Sequence, residues 1–313
     1  MTRNFGIELE FKGLRRWQSL DALNAAGIKA QKEDYNHSDH TDGTWKIISD
    51  ASVMNGHEVV SPILSGEEGL KEAMHAANAL ESAGATIDKA CGLHVHFNAT
   101  DLSADEIRMI CTRYMKHESE IDAFMPKSRR DSNNTFCRST RLCFADNRRF
   151  ETARNARELA NSVSGRYYKV NLQAYLAHHT IEFRQHSGTV DAQKIAWWVR
   201  FLDGFITESI KLAHLKAAMP QLQPAQQNLL DLIREENDAG RLQHLLGLQP
   251  HSLRGAISIL RKKGLEIVSR RESGMTFYRW VSNTAMQIED RLFNGVEQEV
   301  ADFYTARAIA LAV

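Results

Sequence analysis

The sequence predicts an α+β protein in which a large N-terminal domain precedes a small, basic, largely helical one. Strand-like and helical runs alternate up to about residue 213. Two prolines and four glutamines in the nine residues 219–227 then interrupt the pattern, as is typical of a linker. Beyond the linker, three helical runs precede two strand-like runs. We therefore expect four segments, listed in chain order: a domain at 1–218, a linker at 219–225, a second domain at 226–282 and a C-terminal helix within 283–313.

The elements of the first domain follow from hydrophobic periodicity. Strands are predicted at 4–12, 44–49, 57–61, 92–98, 166–174 and 180–186. Helices are predicted at 18–26, 66–83, 103–122, 151–162 and 191–216. Ser103 and Glu106 form a capping box, which predicts where the third helix begins. Segment 127–149 is expected to be a polar, arginine-rich loop.

Composition excludes several classes of protein. Hydrophobic residues make up 43% and charged residues 25% of the chain, which excludes a disordered protein. The 39 basic and 39 acidic residues cancel, which argues against a wholly basic nucleic-acid coat. No run approaches the ~20 apolar residues of a membrane span, and the start of the chain lacks an apolar signal region. We therefore expect a cytoplasmic protein with no membrane partner, whose four cysteines are reduced thiols.

Three predicted strands share one kind of alternation. In 5–11, apolar side chains alternate with others, so that Glu8 and Glu10 project from the same face. The same period of two places His94 beside His96 in the strand at 92–98. It also brings Glu182 to the face of Arg184 in the strand at 180–186.

These polar faces suggest a binding site. The alternative for any one strand is an amphipathic strand whose polar face meets water. The three strands carry only glutamate, histidine and arginine, however; carboxylates and imidazoles bind metal ions, and arginine matches phosphate. Further residues extend the pattern: Glu58 in the next strand, Lys169 and Asn171 two residues apart, and Asp50 and Ser52 in the turn before Glu58.

The order of these motifs resembles the amidoligase family, a carboxylate–amine ligase branch similar in fold to glutamine synthetase and glutamate–cysteine ligase. The resemblance covers about residues 3–213. It is carried by five motifs: Phe5-Gly6-Ile7-Glu8-Leu9-Glu10-Phe11, Asp50-x-Ser52 with Glu58-Val59-Val60-Ser61-Pro62, Cys91-Gly92-Leu93-His94-Val95-His96, Asn171-Leu172, and Thr180-Ile181-Glu182-Phe183-Arg184. It implies an antiparallel sheet curved into a half-barrel, with ATP and Mg²⁺ (Mn²⁺ is an alternative) against its polar face.

The resemblance also implies roles for single residues. Glu10 and Glu58 would hold one metal ion, and Glu8, His94 and Glu182 another. Arg184 would grip the transferring phosphoryl group. The remaining site residues are candidates by chemistry more than by motif: Asp50 to bind the amine and accept its proton, His96 beside the metal ligands or facing the substrate, and Lys169, Asn171 and Arg141 for phosphate or a substrate carboxylate. The arginine-rich loop is a surface loop, a lid over ATP or a clamp on an acidic substrate.

The second domain resembles a winged helix-turn-helix of the kind found in small phage and bacterial proteins. Its third helix is predicted at 251–263, with Pro250 before the first turn and Ser252 near the N-cap, and Gly274 marks the tip of a hairpin. Residues 253–282 contain seven basic side chains against Glu266 and Glu272, which suits duplex DNA. The DNA-contact candidates are Ser252, Arg254, Arg261, Lys262, Arg270 and Arg271. Docking of a protein partner is the alternative.

These inferences leave three functional hypotheses. The first is an ATP- and Mg²⁺-dependent ligase that joins a carboxylate substrate to an amine substrate, directed by its second domain. The second is a DNA-binding regulator whose larger domain senses a small molecule without catalysis. The third is a ligase that acts on modified nucleobases or on a DNA-bound protein. The complete set of predicted metal ligands favours chemistry over sensing.

Overall fold

The computed structural model of the chain describes residues 1, 3–33, 42–49, 56–218, 220, 222–281 and 290–312. The chain divides into two compact units. The first comprises Met1–Lys211 and Arg291–Val313, and the second comprises Leu212–Asp290. The C-terminal segment therefore belongs to the first unit, whereas the sequence predicted a separate terminal helix after the second domain.

A mixed sheet forms the first unit's centre. Over the described residues it has seven strands in the order β2-β3-β4-β1-β5-β7-β6, and it does not close into a barrel. The strands are β1 (Phe5–Lys12), β2 (Ala30–Lys32), β3 (Trp45–Ile48), β4 (Gly56–Val60), β5 (Gly92–Asn98), β6 (Val170–Asn171) and β7 (Thr180–Ser187). Neighbouring strands are antiparallel except β2 and β3, which are parallel. The predicted antiparallel sheet is thus correct apart from this edge pair.

Helices cover the apolar face of this sheet. The helices of the first unit are α1 (Arg16–Ala25), α2 (Gly66–Ser82), α3 (Ala104–Ala123), α4 (Arg141–Phe144), α5 (Arg148–Thr152), α6 (Ala156–Asn161), α7 (Ala174–His178), α8 (Ala192–Ala218, which crosses the unit boundary) and α12 (Gln298–Ala312). The predicted capping box of α3 is confirmed, because Ser103 Oγ accepts from Glu106 N and the Glu106 carboxylate accepts from Ser103 N. Apolar side chains of β1 such as Ile7, Leu9 and Phe11 are buried in the core.

Two glycines allow the C-terminal segment to pack against α8. A Cβ atom on Gly204 would lie 2.5 Å from the carbonyl oxygen of Gly295, and one on Gly295 would lie 2.9 Å from that of Gly204. Gly295 also has a positive φ of 76°, which favours glycine. Of the helix predicted over 284–311, the described residues 290–297 are not helical and the part from Gln298 is, whereas residues 282–289 lie outside the described part of the chain.

The second unit has its own core and a basic surface. It contains α9 (Pro224–Leu232), α10 (Ala239–Leu246) and α11 (Pro250–Lys262), with a three-stranded sheet in the order β8-β10-β9. Its strands are β8 (Asn237–Asp238), β9 (Ile267–Glu272) and β10 (Met275–Trp280). Ser273 and Gly274 both have positive φ, which matches the predicted hairpin tip. The three predicted helices and the hairpin are confirmed, and β8 is additional.

Two other predictions for the first unit need correction. The strand predicted at 166–174 is reduced to the two residues of β6, because the backbone bends at Lys169 and α7 begins at Ala174. The loop predicted at 127–149 contains α4, and Thr140 N donates to the buried Glu118 carboxylate at 2.8 Å. Arg129 in this segment is also buried, at 2% exposure. The segment is therefore anchored to α3 instead of lying loosely on the surface.

Lys169 lies in a sealed polar cluster beneath the sheet. Its Nζ atom lies 3.0 Å from Glu118 Oε1 and 2.6 Å from Asp122 Oδ1, both on α3. Gln185 of β7 donates to Asp122 and accepts from Tyr114 Oη at 2.5 Å. Lys169 is 0% exposed, Glu118 3% and Asp122 7%, so this ion cluster joins α3 to the sheet almost entirely away from water.

Within the described part of the chain, no helix combines the length and the apolar character needed to cross a membrane.

We expect Lys169→Met to lower the free energy of unfolding by about 3–5 kcal/mol, because it leaves two buried carboxylates without their cation. Urea denaturation measures the change. Lys12→Met is the matched control, since it removes an ion pair of 2.6 Å with the partly exposed Asp88 and should cost less than about 1 kcal/mol. Equal stability of the two variants would contradict this role of Lys169.

Candidate active site

The strand register gathers the predicted ligands on one face of the sheet. Glu10 of β1 lies opposite Glu58 of β4, and Glu8 lies opposite His94 of β5. His96 lies opposite Glu182 of β7. Because paired residues of adjacent strands project from the same face, these six side chains form a continuous polar band across four strands. A cavity of about 920 Å³ opens over this band.

Glu8 is the link between the two imidazoles. Its Oε2 atom lies 2.8 Å from His94 Nδ1, and its Oε1 atom lies 3.1 Å from His96 Nε2. His96 Nδ1 is 2.9 Å from Thr180 Oγ1, which sets the orientation of that ring. His94 is in turn surrounded by acids, with Glu10 Oε1 3.6 Å from Nε2 and Glu182 Oε1 3.7 Å from Nδ1.

Glu182 is held by two donors from the same end of the sheet. The Nδ2 atom of Asn171 donates to Glu182 Oε2 at 2.5 Å, and Arg184 donates to Glu182 Oε1. Asn171 and Glu182 are both buried, each at 3% exposure. The carboxylate therefore has a fixed orientation, with one oxygen turned toward the histidines and Arg184.

Gly92 is required at the other end of the band. Its backbone N–H donates to Glu10 Oε2 at 2.6 Å. A Cβ atom on Gly92 would lie 2.8 Å from His94 Nε2 and 3.2 Å from Glu10 Oε2. Only glycine leaves room for both ligands at this strand end.

The site carries opposing charges at short range, and these shift its pKa values. Burial alone would raise the pKa of Glu8, but the charges and hydrogen bonds of His96 and His94 hold it well below its usual value. Burial opposes protonation of His96, yet Glu8 and Glu182 raise its pKa. The pKa of Glu182 is lowered because Arg184 and His96 outweigh the effect of burial. Arg184 and the two histidines thus compensate part of the negative charge of the glutamates.

The donor set fits a divalent metal ion. Donor atoms of Glu8, Glu58 and His94 all lie within 4.8 Å of one another, as do those of Glu8, His96 and Glu182. Carboxylate oxygen and imidazole nitrogen are common ligands of Mn²⁺, and carboxylates are ligands of Mg²⁺. The two groups share Glu8, and the second includes His96 where the resemblance assigned His94.

The other predicted site residues have different locations. Arg141 is exposed on α4 and does not line the cavity, and Lys169 belongs to the buried cluster with Glu118 and Asp122. Asn171 and Arg184 do line the cavity. Asp50 and Ser52 lie outside the described residues.

Sequence reasoning missed several residues of the site. Lys46 lines the cavity, because it projects from β3 on the face shared with Val60 and Glu8. A lysine among the apolar residues of the predicted strand 44–49 was the signal that could have identified it. Phe136 and Tyr167 also line the cavity, but their positions in irregular segments left no periodic signal.

A sheet face with glutamates, histidines and an arginine thus lies beneath a large cavity, and its donor atoms are close enough together to fit a metal ion. The family model described as "Putative amidoligase enzyme" matches residues 1–206, and the chain belongs to this family. A search among curated proteins gave no match.

We expect Glu8→Gln to weaken Mn²⁺ binding at least about ten-fold, because Glu8 contributes to both ligand groups. Electron paramagnetic resonance of free Mn²⁺ in a titration measures the dissociation constant. Glu81→Gln is the control, since Glu81 is exposed on α2 and outside the cavity. Unchanged affinity in Glu8→Gln would exclude these two groups as the metal site.

Proposed function

We propose that this protein is an ATP- and Mg²⁺-dependent carboxylate–amine ligase that forms an amide bond through an acyl phosphate. Membership of the amidoligase family supports a ligase. The observation that carries the finer proposal is the band of Glu8, His94, His96 and Glu182 beside Arg184. A guanidinium close to a divalent-metal donor set is the combination that phosphoryl transfer from a nucleotide requires.

The proposed reaction has two steps, phosphorylation of the carboxylate and attack by the amine. A substrate carboxylate oxygen attacks the γ-phosphorus of ATP, the bond to the β–γ bridging oxygen breaks, and ADP leaves. The amine nitrogen then attacks the acyl carbon, inorganic phosphate leaves and the amine loses a proton. Activation is necessary because a free carboxylate is a poor electrophile.

The residues of this chain contribute binding and charge compensation. Mg²⁺ or Mn²⁺, when bound, would offset the negative charge of the phosphates. Two groups of side chains would hold the ions: Glu8, Glu58 and His94 form one, and Glu8, His96 and Glu182 form the other. Arg184 lies at the edge of this donor set and would stabilise the charge of the transferring group. Asn171 keeps Glu182 oriented and so acts as a positioning residue.

The proposal includes two finer points of fold. A sheet curved into a half-barrel, as in glutamine synthetase, would wrap around the nucleotide. A winged helix-turn-helix arrangement of the second unit would present α11 to a partner. The three helices and the hairpin of that unit are consistent with it.

We expect Arg184→Ala to lower the rate of ADP release about 100-fold or more, because the charge of the transferring group loses its fixed cation. The assay supplies ATP, Mg²⁺ and a broad pool of amino acids and polyamines. Arg157→Ala on the exposed surface of α6 is the control and should leave the rate unchanged. Melting temperatures show whether each variant is folded.

Two outcomes would contradict the ligase proposal. The first is a folded Arg184→Ala variant with the wild-type rate. The second is wild-type protein that releases no ADP with any member of the pool, with or without duplex DNA. That second outcome would favour the regulator that senses a small molecule without catalysis.

We further propose that the second unit binds duplex DNA. Arg254 and Lys262 are exposed on α11, and Arg271 is exposed on β9. Two of the predicted contacts already serve the unit itself. Arg261 donates to the Ile267 carbonyl at 2.9 Å, and Arg270 forms ion pairs with Glu236 and Glu272. The preferred DNA contacts are therefore Arg254, Lys262 and Arg271, together with Ser252 at the start of α11.

We expect the double variant Arg254→Ala/Lys262→Ala to weaken duplex binding and to reduce the slope of log K against log salt by about 2. Fluorescence anisotropy of a labelled duplex at several salt concentrations measures both. Arg241→Ala, on the surface of α10, is the control. Binding with an unchanged salt slope would favour docking of a protein partner.

A further inference from the structure

Two aromatic side chains meet at one wall of the cavity. The rings of Phe136 and Tyr167 pack edge to face, with centroids 5.2 Å apart. Both residues line the cavity, and Phe136 remains 42% exposed although it is apolar. We call Phe136 and Tyr167 the aromatic corner. An aromatic ring exposed on the wall of a large cavity is available to contact a ligand bound there.

The backbone holds the aromatic corner in place. Arg138 N donates to the Tyr167 carbonyl at 3.0 Å, and Lys169 N donates to the Arg138 carbonyl at 2.9 Å. Phe136 N donates to Asn134 Oδ1 at 2.8 Å. These bonds connect the two irregular segments, and Arg184 N continues the connection to β7 by donating to the Lys169 carbonyl at 2.8 Å. Hydrogen bonds within the chain thus fix the backbone on both sides of the aromatic corner.

Two guanidinium groups flank Tyr167. The Cζ atom of Arg166 lies 5.2 Å from the centre of the Tyr167 ring, and that of Arg184 lies 5.9 Å from it. Arg184 also approaches the Phe136 carbonyl, with Nε 3.4 Å from the oxygen. Arg184 thus borders both the metal donor set and the aromatic corner.

This arrangement has the chemistry of a base-stacking site beside a phosphate-binding site. Flat heteroaromatic bases stack on aromatic rings, and arginines add cation–π attraction. A nucleotide carries its base and its phosphates on opposite ends of one sugar. A base at the corner would thus leave the phosphates free to extend past Arg184 toward the carboxylates.

We propose that the aromatic corner is the platform for the base of the nucleotide substrate: because its two rings are nearly perpendicular, the base stacks on one ring and meets the other at an angle. This inference rests on the proposed function, because it places the ATP of that reaction. It also divides the cavity between the two ends of the sheet. The wall near Ile48, Val60, Pro62 and Ile63 is left for the carboxylate substrate.

Two triphosphate ligands, one with a nucleoside and one without, test the platform. Isothermal titration measures the affinity of the full chain for the Mg²⁺ complexes of a non-hydrolysable ATP analogue and of inorganic tripolyphosphate. The variants are Phe136→Ala, Tyr167→Ala and Tyr167→Phe, which keeps the ring. Trp17→Ala is the control, because Trp17 is 50% exposed and lies outside the cavity.

We expect Tyr167→Ala to raise the dissociation constant of the ATP analogue about ten-fold or more, with a smaller rise for Phe136→Ala. Tyr167→Phe and Trp17→Ala should remain within about three-fold of wild type, since the stacking ring is intact in both. Tripolyphosphate should bind every variant as it binds wild type, which also shows that the variants are folded.

Other results would overturn the inference. Wild-type affinity of both alanine variants for the ATP analogue would exclude the platform and leave the ligase proposal intact. Equal losses for the analogue and for tripolyphosphate would show that the corner acts on the phosphate site or on folding, not on the base. A wild-type protein that binds neither ligand would overturn both the platform and the proposed function.

Discussion

The site depends on one constraint: the negative charge of the glutamates on one face of the sheet must be compensated. Glu10, Glu58 and Glu182 are buried, and Glu8 between them is only partly exposed. Buried carboxylates are costly unless cations or hydrogen-bond donors surround them. Here the sheet itself supplies donors: the Gly92 N–H, the Asn171 amide and two imidazoles. The donor atoms of these carboxylates and histidines also lie close enough together to fit a divalent cation.

The opposite side of the same sheet shows that composition alone does not make a site. Lys169, Glu118 and Asp122 offer the same kinds of charged group as Arg184 and the glutamates. That cluster is almost entirely buried, however, and its charged groups are satisfied by one another and by neighbouring donors of the chain. Arg184 instead borders a cavity large enough for a substrate. Exposure to the cavity therefore distinguishes the candidate functional group around Arg184 from the buried structural cluster around Lys169.

Charge is also distributed unevenly along the chain, although the total is zero. Part of the basic charge of the second unit is neutralised locally, since Arg270 pairs with Glu236 and Glu272. In the first unit, several acids that balance the total are the candidate metal ligands. The neutral sum therefore describes neither the surface that a duplex would meet nor the cavity that ATP would enter.

The periodic parts of the fold were predictable. In β1, β5 and β7 the period of two assigned Glu8, Glu10, His94, His96, Glu182 and Arg184 to one polar face, and the register confirms this face. Such strands have one side chain per face at each step, so alternation alone determines orientation. β2 was missed because three mostly exposed residues carry no alternation.

Where the backbone departs from regular strand geometry, the alternation of residues no longer predicts the face on which a side chain lies. Lys169 and Asn171 were expected on one face, but the bend at Lys169 directs its side chain to α3, while Asn171 contacts Glu182. Phe136 and Tyr167 have no periodicity at all, and only hydrogen bonds between distant segments bring them together. The sequence by itself thus determined the chemistry of the central band, because that chemistry depends on a local repeat. Only the tertiary structure decided which charged groups face a cavity and which are sealed, because access depends on packing between residues far apart in the chain.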